Sequence, residues 1–227
     1  MRLVHVDFSK PVETERNFLC LVVENSKLFC KYCSDLFSQS QGGDGEFIFV
    51  EGEQRLAFDK FGQIVFDLFS LPLQDKKVIG GLYERLKDVT DRNFQAEYVL
   101  IVQSICTFLD KLSVECDMPV DYNEDFSLSD LLKAAKVGLN ERCPTLTEKV
   151  ITFLQAVQSF TKTKIVVFVN IRGYFSNEEF AEILKHVAYS DLSVVCLESS
   201  LPPETIGEKT LIIDKDMCEI LVGSERM

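Results

Sequence analysis

The stretch "TKIVVFVN", residues 163–170, decides how this chain is read. It is a buried strand, five apolar residues long, preceded by Lys164 and closed by Asn170. In an ATP-hydrolysing α/β protein such a strand usually delivers an acid to a magnesium ion at its last position. Here that position is an amide. Downstream, "SNEEFAEILKHVAY" (176–189) has helical spacing and opens on Ser176 with Glu179 three residues on, a capping-box pattern. "LSVVCLE" (192–198) is a second apolar strand. Strand, helix and strand make a β-α-β unit, which predicts that the two strands are parallel neighbours. "TLIIDKDMCEILV" closes the chain as a pair of strands after the break at "PPE" (202–204).

The N-terminal part carries the same alternation. "FLCLVV" (18–23) is an apolar run, "SKLFCKYCSDLF" (26–37) is helical, and "QSQGGDGE" (39–46) is a glycine-rich loop. "FIFVEGEQRLAF" is a hairpin about Glu51–Gly52, and "QIVFDLFSLPL" (63–73) is a further extended segment. From about Lys76 to Lys162 helices take over. A greasy helix, "RNFQAEYVLIVQSICTFLDKLSVE" (92–115), is either deeply buried or faces another subunit. "SLSDLLKAAK" and "TLTEKVITFLQAVQSF" begin with Ser127 and Thr145, each followed three residues later by an acid. The expected fold is α/β. A mixed sheet is built from residues 1–75 and 163–227, with an α-helical domain, residues 76–162, inserted between them.

The chain has 227 residues, 46% of them hydrophobic and 26% charged, in the range of soluble globular proteins. No apolar run is long enough to span a bilayer, and "MRLVHVDFSK" lacks the apolar core of a secretion signal. Eight cysteines without an export signal predict reduced thiols in a cytoplasm. Cys30 and Cys33 form a C-x-x-C without a second ligand pair, and are expected as core residues of their helix.

A phosphate-cradling loop needs spaced glycines followed by Lys and Ser or Thr at a helix start. "GGDGEFIF" (42–49) has the glycines, lacks the lysine, and leads into a strand. With Asn170 in place of the acid, both halves of the nucleotide-hydrolase signature are missing. His5 and His186 lie in no nucleophile setting; His186 is expected as a satisfied histidine of its helix. The expectation is a protein that is not an enzyme.

The net charge of −12 argues against phosphate partners when taken alone, but the charges are segregated. Residues 110–130 hold seven acids and one base; residues 131–165 hold six bases and two acids. The connector "ECDMPVDYNEDFSLSD" (115–130) reads either as a solvated acidic loop or as a site for a hard cation. Its D-Y-N-E-D run starts like a calcium loop. It then departs from one, with Phe126 at the turn glycine and Leu132 at the bidentate glutamate. The basic residues read either as a solvated face or as part of a phosphate groove, to which several copies in a ring could each contribute.

The run "TKTKIVVFVNIRGYFSNEEFAEILKHVAYSDLSVVCLE" (161–198) resembles the CRISPR-associated accessory proteins of type II-A spacer acquisition. The Lys-rich lead-in, the strand ending in Phe-Val-Asn, the acid-capped helix and the strand ending in Leu-Glu all match. "MRLVHVDFSKPVE", "SDLLKAAKVGL", "TLTEKVITFLQ" and "TLIIDKDMCEIL" resemble the family elsewhere along its length. The resemblance implies an α/β domain with the outline of a P-loop ATPase but no catalytic loop, a helical domain, and a calcium-stabilised homotetrameric ring. It further implies sequence-independent binding of double-stranded DNA ends, alongside the adaptation integrase and the guide-dependent nuclease. On this resemblance the DNA-binding residues are Lys133, Lys136, Lys149, Lys162 and Lys164, and the Ca²⁺ ligands are Glu115, Asp117, Asp121, Glu124 and Asp125. Two rivals stand beside it: a degenerate nucleotide hydrolase, and an interaction scaffold in which helix 92–115 serves a protein partner.

Overall fold

The computed structural model describes residues 1–116, 118, 120–202 and 208–222. Two compact units emerge, one formed by Met1–Pro72 with Glu141–Met227, the other by Leu73–Asn140. The first unit is mixed α/β. Its strands are β1 (Arg2–Val4), β2 (Val12–Glu13), β3 (Phe18–Val23), β4 (Ile48–Glu51), β5 (Gln54–Leu56) and β6 (Gly62–Val65), then β7 (Ile165–Val169), β8 (Ser193–Glu198), β9 (Thr210–Ile213) and β10 (Glu219–Val222). Its helices are α1 (Ser26–Ser40), the single turn α2 (Phe58–Phe61), α6 (Leu146–Phe160) and α7 (Asn177–Ala188). The other unit holds α3 (Lys76–Asn93), α4 (Gln95–Glu115) and α5 (Leu128–Ala134).

Six strands form the main sheet in the order β10-β9-β3-β8-β7-β6. All but β10 run parallel to their neighbours, which makes the sheet mixed. The β-α-β expectation holds: β7 and β8 are parallel partners, with Val166 opposite Val194 and Phe168 opposite Cys196. β3 and β6 come from the front of the chain, β7 to β10 from its end, so both ends must meet before the sheet closes.

Every residue of β3, β7 and β8 is buried, because the sheet is covered on both faces. Ile165, Val167 and Val169 point into a cluster with Leu19, Leu21 and Val23 of β3 and with Leu28, Tyr32 and Leu36 of α1. The alternate residues face the other way. Phe168 meets Phe153 of α6 at 6.3 Å between ring centroids, and Phe18 meets Phe180 of α7 at 5.8 Å. A smaller antiparallel sheet, β2-β1-β4-β5, adds Leu3, Val12, Phe49 and Leu56 to the α1 cluster. Gly52 turns the β4–β5 hairpin with φ of 60°, a left-handed conformation that glycine adopts without Cβ strain.

Helix starts follow the expected chemistry. In α7, Ser176 and Glu179 form a complete capping box, and so do Ser127 and Asp130 in α5. Thr145 accepts from the Glu148 amide at 3.1 Å and starts α6. Three details differ from the sequence reading. The extended segment 63–73 pairs only through Val65, since Asp67 accepts the Phe69 amide at 2.8 Å and turns the chain. The greasy helix begins at Gln95, because Phe94 leaves helical geometry at φ −133°. And α6, grouped with the helical segment by its pattern, falls within the α/β unit, where Val150, Phe153, Leu154 and Val157 are buried.

Phe153 is fully buried, so Phe153→Ala should lower folding stability by about 3–5 kcal/mol, measured by urea denaturation. A loss below about 1 kcal/mol would mean that α6 does not cover the sheet.

Candidate nucleic-acid interface

The end of β7 holds Asn170. Asn170 sits at φ 53°, a left-handed conformation that Asn tolerates better than most residues. Its backbone amide donates to the Leu197 carbonyl at 2.9 Å, and its side-chain Oδ1 accepts the Ser199 amide at 2.8 Å. The side chain therefore ties the exits of β7 and β8 together. It acts as a clasp, with its carbonyl oxygen already occupied. Beside it, the buried carboxylate of Glu198 accepts the Ile171 and Arg172 amides at 2.9 and 3.1 Å. The Arg172 guanidinium lies 4.6 Å from the centre of the Phe180 ring.

The glycine-rich segment is a helix exit and not a phosphate loop. Gly42, at φ 80°, follows α1, and the Gly43 amide donates back to the Ser38 carbonyl at 2.9 Å. The next element is strand β4, so no helix N-terminus stands behind these glycines.

The five lysines divide between the units. Lys133, in the last turn of α5, is exposed and lies 3.5 Å from Asp130. Lys136 follows that helix at φ 52° and is also exposed. Lys149, Lys162 and Lys164 belong to the α/β unit. Lys162 is exposed. The Lys164 backbone pins β7 between its neighbours: its amide donates to the Phe61 carbonyl, and its carbonyl accepts from the Ser193 amide. Lys149 is half-buried on α6 and donates to the Phe69 carbonyl at 2.5 Å, so its ammonium is oriented by the chain's own backbone. Sequence reasoning passed over Lys76, Lys77, Arg85 and Lys87, which are exposed on α3 in the same unit as Lys133. The run "DKK" at the start of α3 carried that signal.

The acidic connector is open. Glu115 ends α4, and Glu115, Asp121, Glu124 and Asp125 are all exposed; Asp117 lies outside the described residues. Local bonds order the segment: the Asp125 amide donates to Asn123 Oδ1 at 3.0 Å, and the Tyr122 hydroxyl donates to Asp110 at 2.6 Å. That contact with a carboxylate pushes the Tyr122 phenol up to about 12. Among the described residues these four carboxylates do not gather three ligand atoms around one point. The residues that do gather are His5, Asp35 and Glu46, in the α/β unit.

Helix α4 buries none of its residues within the unit Leu73–Asn140. Leu100, Ile101, Ile105 and Phe108 line one apolar surface, with Leu100 62% and Phe108 59% exposed. Two smaller expectations are corrected. Cys30 lies on the exposed side of α1, and only Cys33 is half-buried, its thiol pushed up to about 11 by burial. On α7, His186 Nε2 is buried without a hydrogen-bond partner among the described residues. The eight cysteines are all free thiols, and among the described residues no helix is long and apolar enough to cross a membrane.

A mixed α/β protein with a helical unit, exposed lysines and no phosphate loop among the described residues is the class defined by these observations. The family model described as CRISPR-associated protein (Cas_Csn2) matches residues 39–217, and the chain belongs to that family. Two curated relatives, each named CRISPR-associated protein Csn2, are distant. The one from Streptococcus agalactiae is 24% identical over 120 residues, 52% of each chain. The one from Enterococcus faecalis is 23% identical over 123 residues, 54% of this chain and 55% of its own. The chain thus spans about half the length of the curated relatives it matches. Membership gives the protein a CRISPR-associated role in defence.

Asn170→Ala removes both the clasp and the tolerance for left-handed backbone, and should destabilise the fold by about 1–2 kcal/mol in thermal or urea melts. Asn170→Asp keeps an acceptor at the same place and should lose less. Neither variant should gain ATP turnover in a phosphate-release assay; measurable turnover in Asn170→Asp would mark the clasp as a disabled metal site.

Proposed function

We propose that this protein is a non-enzymatic, sequence-independent binder of double-stranded DNA ends, acting as a homotetrameric ring in type II-A spacer acquisition. The observation that carries the reading is membership of the Cas_Csn2 family over residues 39–217. The parallel strands β9-β3-β8-β7-β6 support the reading of a P-loop-ATPase-like outline, and residues 42–46 lack the lysine and the following helix that phosphate binding needs. The unit Leu73–Asn140 is the inserted helical domain. Among its described residues only Leu73 and Val78 are buried, too few to make a core of its own. Its exposed apolar face on α4 is the surface that a second copy covers.

In the ring, Lys133, Lys136, Lys149, Lys162 and Lys164 of each copy face the duplex and neutralise phosphates. Contacts to phosphate carry no base information, so affinity is independent of sequence. The strongly acidic remainder of the chain, at net −12, repels DNA from other surfaces and favours entry at a free end. The adaptation integrase and the guide-dependent nuclease are the partners, in the cytoplasm. Calcium belongs to the proposal as a cation to be titrated, and no part of the DNA reading runs through it. The exposed α4 face equally supports an interaction scaffold, which the DNA measurements separate from the ring.

Gel shifts with linear and covalently closed circular duplex of the same sequence, with calcium and with chelator, test the threading. Linear DNA should bind and the closed circle should not, and each neutralised phosphate should steepen log K against log salt by about 0.9. Equal affinity for both forms contradicts threading, and no affinity for either favours the scaffold. Lys133→Glu with Lys149→Glu should weaken binding at least ten-fold with the oligomer intact; unchanged affinity removes both residues from the interface.

A further inference from the structure

His5 follows β1 with its side chain wholly buried, and among the described residues its Nε2 meets no hydrogen-bond partner. The ring is packed against Tyr32 and Phe47, each 4.5 Å away between centroids, and against Phe8 at 5.5 Å. An imidazole nitrogen closed in by aromatic rings and without a partner carries an uncompensated desolvation penalty. Two carboxylates stand on the same side. Glu46 Oε2 is 3.5 Å from Nε2, outside hydrogen-bond geometry, and Asp35 has a buried Oδ2 that is also without a partner among the described residues. One ligand atom from each of His5, Asp35 and Glu46 lies within 4.8 Å of the others. Ligands about 2.0–2.2 Å from one tetrahedral ion stand roughly 3.5 Å apart, so small side-chain rotations close the set.

We propose that His5, Asp35 and Glu46 form a binding site for a divalent first-row transition ion, zinc being the best fit. One imidazole nitrogen and two carboxylates suit such an ion, while calcium and magnesium prefer oxygen alone. The site is separate from the acidic connector and takes a different class of cation. Asp7 completes it from behind. The Asp7 amide donates to His5 Nδ1 at 3.2 Å, and Asp7 Oδ2 lies 3.4 Å from the same nitrogen. Without metal, the donated amide leaves the ring proton on Nε2. With metal on Nε2, the ring carries its proton on Nδ1, which then donates a hydrogen bond to the Asp7 carboxylate in place of accepting one from the Asp7 amide, the usual support behind a metal-bound histidine. Tyr32 donates its hydroxyl to that same carboxylate at 3.3 Å and holds it in place.

Lys31 is the ion's competitor. Its ammonium lies 2.5 Å from Glu46 Oε2 and 3.8 Å from Asp7 Oδ2, and its side chain is 44% exposed. It supplies the positive charge that the carboxylates require in the metal-free protein. Its exposed stem lets it swing into solvent when an ion arrives. An ion bound here would add a direct link among the N-terminal strand, helix α1 and the glycine-rich loop that ends at Glu46, beside the Tyr32–Asp7 and Lys31–Glu46 contacts.

Cobalt is the probe, because its absorption distinguishes nitrogen and oxygen ligands from thiolates, which add intense near-ultraviolet bands. The full chain is stripped with chelator, desalted and titrated with Co²⁺ in a Cys30→Ser/Cys33→Ser background, which removes the adjacent thiols on α1. The expected result is one ion per chain without thiolate bands, displaced by one equivalent of Zn²⁺, with a rise in melting temperature. Glu46→Gln and Asp35→Asn, at exposed and half-buried positions that the fold tolerates, should each weaken binding at least about ten-fold. Lys31→Ala should tighten it. Stoichiometric binding unchanged by Glu46→Gln and Asp35→Asn overturns the site, as does the absence of binding in Lys31→Ala, where no ammonium competes.

Discussion

Burial of β7 and β8 on both faces is the constraint on which the rest of the structure depends. Neither strand offers a polar face to water, so α1 must cover one side and α6 with α7 the other. The two strands pair in parallel only through α7, whose start is held by its Ser176–Glu179 box. β3 then pairs with β8 and draws the N-terminal segment, with its small sheet, onto the same core. Asn170 and Glu198 finish the strand exits with bonds to backbone amides. The ends of both strands are thereby committed to holding the chain together.

The helical unit is built on a different principle. Side-chain hydrogen bonds tie its distant segments together: Tyr83 to the Val137 carbonyl, Gln74 to the Leu139 carbonyl, Tyr98 to the Phe126 carbonyl. Such bonds set geometry but contribute little net stability. The apolar surface that would supply more lies open on α4. A unit of this kind is completed by covering that surface. This is why assembly, more than any side-chain chemistry, stands at the centre of the proposed function.

Much of the sheet was legible in the sequence because its signals are local. Apolar runs mark β3, β7 and β8, and Ser or Thr three residues before an acid marks α5, α6 and α7. The unit to which α6 belongs was not legible, since an apolar helical face does not say which surface it will meet; Phe168 decides that, and its orientation depends on the sheet. The break at Phe94 is a single residue leaving helical dihedrals, without proline or glycine to announce it. The site residues were harder. Lysines on one stretch of chain proved to lie in two units, and the backbone bond that orients Lys149 comes from Phe69, 80 positions away. His5, Asp35 and Glu46 are brought together by β1, α1 and the chain entering β4, with no spacing rule to connect them.

The mass of the particle in solution, read by light scattering or sedimentation at physiological salt, tests the central claim most directly. The account predicts four chains of 25.8 kDa each, with α4 withdrawn from solvent and protected in hydrogen exchange. A single chain in solution, its α4 face open to water, would contradict it.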